Sequence, residues 1–158
     1  MKAEILNLMI AIIITLAYLV LSMKMVSSFL QQISKPMTTA TGILNFAVIF
    51  GFGITLNNFA EIATGAFHFY SLQGKIATGL FYWLIFSVIA FVFSYLVFRL
   101  SFFIVNQSTA ENEKAELAKN NYTIAALHAV IFIIICLVVS QPLSDLANSF
   151  VSYPKYPD

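Results

Sequence analysis

Glu61 and Asp145 are the residues whose chemistry and placement first suggest a role. Each is the single carboxylate of a short one-sided segment that follows an apolar run and a polar break, Asn57-Asn58 in one case and Gln141-Pro142 in the other. Carboxylates gathered into a ring at a pore mouth attract cations; standing alone they are ordinary solvated groups. His128 adds a second possibility, because an ionisable side chain inside an apolar run is by default a functional candidate. A haem or metal between His68 and His128 is excluded within one protomer, since helix geometry separates them by roughly 36 Å along the membrane normal. Cys136 is the only cysteine, so neither an intrachain disulfide nor a thiolate metal site can form. No Ser/His/Asp arrangement, metal-ligand spacing or paired catalytic carboxylates at membrane depth can be assembled. The sequence therefore reads as a non-enzyme with no cofactor and no metal.

The elements that carry these residues follow from composition. The chain has 158 residues, of which 60% are hydrophobic and 9% charged, against roughly 25% charged in a soluble domain. Four apolar runs stand out: Ile5 to Met23, Met37 to Leu56, Ile76 to Phe98 and Tyr122 to Val139. A helix needs about 20 apolar residues to cross a hydrocarbon core of ~30 Å, and in lipid a helix satisfies its own backbone. We therefore expect an all-α integral membrane protein, a single transmembrane domain over residues 1–158, with the lipid bilayer as its solvent. A net charge of +1 with scattered basic residues argues against nucleic acid. Lys2 ahead of an apolar stretch resembles a signal peptide, but Glu4 beside the stretch and the absence of a small-x-small site predict a retained helix.

Lys35 to Tyr70 returns without a gap as Lys119 to Pro154. Lys35, Thr39, Ile49 and Ala63 pair with the identical residues Lys119, Thr123, Ile133 and Ala147. The first helices match too, Tyr18-Leu19-Val20 with Tyr95-Leu96-Val97. The expected architecture is four transmembrane helices built as two parallel-repeated helical hairpins, about residues 5–70 and 82–154, each ending in a short amphipathic segment. The stripes of those segments are Phe59, Ile62, Ala63, Ala66, Phe67 and Leu143, Leu146, Ala147, Phe150, Val151, at the spacing of a one-sided helix. A straight helix from Lys35 to Tyr70 would be roughly 50 Å long, and Pro142 suits the first turn of a new helix. The tails are expected to bend and lie along the membrane surface, or, if they continue straight, to stand as a rim outside it.

The charged cluster Glu111, Glu113, Lys114, Glu116, Lys119 falls between the third and fourth helices. Ser108 and Glu111 are spaced as a capping box, which predicts a short helix from about Thr109 to Ala118. Glu111, Glu113, Lys114 and Glu116 are the candidate docking residues for a soluble cytoplasmic partner. Lys24, Lys35, Arg99, Lys114 and Lys119 on one side, against Lys2, Lys75 and Lys155 on the other, place loops one and three in the cytoplasm and both termini in the periplasm. Phe67, Phe69, Tyr70, Phe81, Tyr82, Trp83, Tyr153 and Tyr156 are expected to form an outer aromatic belt. Ala47 and Gly51 on helix two, and Ala125 and Ala129 on helix four, have the small-xxx-small spacing of close helix packing.

The duplicated two-helix unit, Lys119-Asn120-Asn121 followed by Ala125-Ala126, and the Ser144-Asp145-Leu146 tail together resemble the YjfL-like family of bacterial inner-membrane proteins. Where that family's second helix opens with asparagine and small residues, this chain has Pro36-Met37-Thr38. The resemblance covers about residues 5–155 and implies a multi-pass protein of the bacterial inner membrane associated with membrane-stress systems. It carries over no catalytic residue. The function expected is that of a non-enzymatic subunit, a homo-oligomer or part of a larger membrane complex. The alternative is a small ion channel or transporter assembled from four-helix protomers, with Gly51, Gly53, Asn57, Glu61, His128 and Asp145 facing a pore or vestibule.

Overall fold

The computed structural model describes residues 2–34, 37–109 and 112–150, apart from the side chains of Lys2, Ala3, Glu4 and Asn7. Five helices follow one another: α1 Lys2–Ile33, α2 Thr39–Leu72, α3 Ile76–Ser108, α4 Glu113–Ala118 and α5 Tyr122–Ser149. Among the described residues there is no strand, and all but α4 are long and apolar enough to cross a membrane. The helix starts are set by polar side chains. Thr38 accepts from the Thr41 amide, Asn112 from Ala115, and Asn121 from Thr123 and Ile124, each answering donors that a first helical turn leaves open. Gly74, with φ at +72°, makes the tight turn from α2 to α3.

Side-chain contacts give the helix directions. Tyr18 meets Phe91 and Ser94, and further along Phe29 meets Phe98 and Phe102, so α1 and α3 run parallel. Ala40 meets Asn120, Gly51 lies on Phe132 and Asn58 meets Ser140, so α2 and α5 also run parallel and in step. The pairs Phe67–Gly79, Phe59–Phe86 and Phe52–Phe91 make α2 antiparallel to α3. Helix α2 packs against α1, α3 and α5 and forms the centre of the bundle. Around it the interior is filled by rings. Phe52 touches Tyr18, Phe91 and Phe132, and Phe98 stands edge-on to Phe132. Such tilted and edge-on pairs each add about 1 kcal/mol beyond area burial.

Several sequence expectations change at this point. Helix α1 continues to Ile33, so Lys24 lies inside a helix and not in loop one. The amphipathic tails take the straight course: α2 passes Asn57-Asn58 without interruption, and α5 carries Pro142 in its interior. The polar break in α2 is used sideways, because Asn58 Nδ2 donates to Ser140 Oγ at 2.6 Å. Beyond it, Phe59, Ile62, Ala63, Ala66 and Phe67 are buried in the bundle and do not lie on a membrane surface. In the α5 tail, Leu143 and Ala147 pack on the core while Leu146 and Phe150 are exposed. Helix α4 begins at Glu113 under an Asn112 cap, and Ser108 instead ends α3, its hydroxyl donating back to the Ile104 carbonyl. Tyr70, Tyr82, Phe69 and Phe81 cluster at the expected end, whereas Phe67 and Trp83 turn inward. Lys35, Glu111, Val151, Tyr153, Pro154, Lys155 and Tyr156 lie outside the described residues.

Asn120 ties the two halves together. It adopts φ 65°, in the left-handed region that asparagine tolerates. From there its Oδ1 accepts from the Ala40 amide at 2.9 Å and its Nδ2 donates to the Tyr122 hydroxyl at 2.8 Å. Thr38 Oγ1 adds a bond to the Leu117 carbonyl. Replacing Asn120 with alanine removes the cap on α2 and strains the backbone, and is expected to lower stability by about 2 kcal/mol. Asn120→Gly keeps the backbone and loses only the cap, so its melting temperature in detergent should fall between those of the alanine variant and the native protein.

Candidate functional site

The pore candidates do not converge within a protomer. Gly51 is buried at the α2–α5 contact, where a Cβ would run into the Phe132 ring and come within 3.1 Å of Cys136 Sγ. A Cβ on Gly53 would meet nothing within 4 Å. Ala47, Ala125 and Ala129 are buried, in keeping with close helix approach. Asn57 and Glu61 on α2 and Asp145 on α5 face outward and are exposed. Asp145 accepts a hydrogen bond from Gln141 one turn earlier at 3.3 Å.

His128 is fully buried near the start of α5, while His68 is exposed near the end of α2, at the opposite end of the bundle. The His128 ring lies edge-on to Phe102, centroids 3.7 Å apart, and stacks on Phe98. The Ser101 hydroxyl spends its proton on the Phe98 carbonyl at 2.8 Å. That leaves Ser101 Oγ to accept from His128 Nε2 at 3.4 Å, so the geometry favours the Nε2–H tautomer. His128 Nδ1 meets no hydrogen-bond donor among the described residues. No cluster of three or more metal-ligating side chains occurs among the described residues.

The charged loop divides into different environments. Glu116 is held by Asn121 Nδ2 at 3.0 Å and Lys119 Nζ at 2.6 Å, and these bonds, that from Asn121 foremost, keep its carboxyl below the usual range. Lys114 is exposed, with its Nζ 5.8 Å from the centre of the Phe29 ring. Glu113 turns inward, 2% exposed, and its Oε1 meets no donor among the described residues. Burial pushes the Glu113 carboxyl up to about 7. Together with Arg99, Phe102 and Asn106 it lines a cleft of about 630 Å³ between α3 and α4. The sequence reading missed this cleft. Arg99, the first charge after the third apolar run, was the signal available.

Two predictions follow from these placements. Gly51→Ala forces the Phe132 ring aside and should lower stability by 1–3 kcal/mol (roughly, as for overpacking), whereas Gly53→Ala should leave the melting temperature unchanged or raised. Because Glu113 is protonated more readily folded than unfolded, its contribution is complete below pH 4.5 and is lost as pH rises through about 7. The melting temperature in detergent should fall across that window, and Glu113→Gln should flatten the profile.

The model of the family described as Domain of Unknown Function (DUF350) matches residues 3–143. No curated protein and no solved structure matches the chain. The match spans α1 to α4 and most of α5, including the α2–α5 seam and the cleft beside α4. With four helices long and apolar enough to span a bilayer, the chain is a multi-pass membrane protein and belongs to the DUF350 family.

Proposed function

We propose that the protein is a non-enzymatic subunit of a membrane assembly, made of its own copies or shared with other membrane proteins. One observation carries this: Asn57 and Glu61 face outward from α2, and Gln141 and Asp145 face outward from α5, each pair one helical turn apart. The helices run parallel with Asn58 level with Ser140, so the two polar pairs stand at the same height. That height is roughly 27–35 Å from the helix starts, close to the ~30 Å thickness of a hydrocarbon core. Neighbouring helices would satisfy them by interhelical hydrogen bonds.

A channel between protomers is the second possibility, favoured by the same outward carboxylates, which would line the mouth of a closed ring. Within a protomer, interlocked Phe52, Phe91, Phe98 and Phe132 fill the centre. In a bacterial inner membrane with periplasmic termini, α4 faces the cytoplasm and presents Lys114 and Glu116 to a soluble partner. The YjfL-like resemblance adds a tie to membrane-stress systems.

Cys136 is buried, so single cysteines at Asn57 or Glu61 report alone. Bismaleimide treatment of native membranes is expected to give dimers or ladders with these variants, and none with cysteine at the buried Ala63. A monomeric mass in native membrane patches, with no cross-linked product, would overturn the proposal. A closed ring whose cation selectivity changes in Glu61→Gln would select the channel.

A further inference from the structure

The cleft beside α4 brings opposite charges and an apolar wall together at one level. Arg99 is the first charge after the apolar run that ends at Phe98, within α3. One turn on, Phe102 is half-buried and Phe103 is 60% exposed. Asn106 and Lys114 add donors at the rim, and among the described residues Arg99 forms no ion pair. Glu113 sits in the α4 wall with Oε1 shut off from water and from every hydrogen-bond donor among the described residues.

A buried carboxyl without a donor is costly to the fold, and the same residue lines the cleft. A simple anion would be repelled by Glu113, and a simple cation by Arg99 and Lys114. A group that carries both charges satisfies all three. We infer that the cleft binds a zwitterionic phosphoethanolamine group, its primary ammonium donating to Glu113 and its phosphate lying between Arg99 and Lys114. Arginine and lysine are the usual phosphate partners. A choline group has no N–H to give a carboxylate, and a phosphoglycerol group has no cation. Phe103, in the apolar wall of the cleft and 60% exposed, offers a surface for acyl chains, so the source favoured is an ethanolamine phospholipid of the surrounding leaflet. Free phosphoethanolamine shares the polar chemistry. The inference is independent of the oligomeric state proposed above.

The test uses the full chain in nanodiscs containing equal parts of phosphatidylethanolamine, phosphatidylglycerol and phosphatidylcholine, with retained lipid counted by native mass spectrometry. Phosphatidylethanolamine should be retained preferentially. Glu113→Gln replaces the carboxyl with an amide of the same shape, so folding is spared, and it should reduce that preference about tenfold, as expected for one charge-assisted hydrogen bond. Arg99→Gln should weaken retention of both phosphatidylethanolamine and phosphatidylglycerol. Millimolar phosphoethanolamine that protects Lys114 from acylation in native protein but not in Glu113→Gln, without lipid preference, would support the same chemistry from a soluble source. Equal retention of the three lipids by native protein and Glu113→Gln, with no protection by phosphoethanolamine, would overturn the inference.

Discussion

The bundle depends on the parallel seam between α2 and α5. Lipid supplies no hydrophobic force to press helices together, so close approach must come from shape and from polar groups that find each other. Gly51 supplies the shape, leaving the space that the Phe132 ring occupies. Asn58 and Ser140 supply the polar bond further along, and Asn120 closes the seam at its start by capping α2. Helices α1 and α3 are then placed on this pair largely by aromatic contacts, Tyr18 and Phe91 against Phe52 and Phe29 against Phe98.

Polar side chains inside the spans are mostly accounted for locally. Ser22, Thr55, Ser87 and Ser94 each donate to a carbonyl one turn back on their own helix, a habit that lets hydroxyls live in apolar surroundings. Three buried side-chain atoms among the described residues stay unmatched: Asn45 Oδ1, His128 Nδ1 and Glu113 Oε1. The first two are neutral acceptors walled by the bundle. Glu113 is different in kind, because it is acidic, outside the spans and beside a cleft.

Four spans could be read from run length and composition alone, because lipid allows few alternatives to a helix of that length. Spacing on a helix decides which residues share a face, and the small residues Ala47, Gly51, Ala125 and Ala129 are all buried. Helix continuity was harder. Asn57-Asn58 and Gln141-Pro142 look like breaks to local propensity, but Asn58 has a partner on another helix that no local pattern encodes. The cap on α4 was misplaced because Asn112 and Ser108 both suit the role, and only the fold shows Ser108 bonded back into α3. Glu113 read as an outward docking residue because its neighbours in sequence are charged. Its burial comes with the packing of α4 on the other helices, which no local pattern encodes.

The Asn120 cap has a consequence for synthesis. A membrane chain is made from its N-terminus, so α2 exists before the side chain that closes its first turn. Until the second hairpin arrives, the Ala40 amide lacks its acceptor and Gly51 lacks the ring that covers it. The first hairpin can enter the bilayer by its hydropathy, but its final packing waits on residues some eighty positions later. Anything that shelters α2 in that interval acts as a chaperone for this fold, and a chain cut before Asn120 exposes an unfinished surface to quality control.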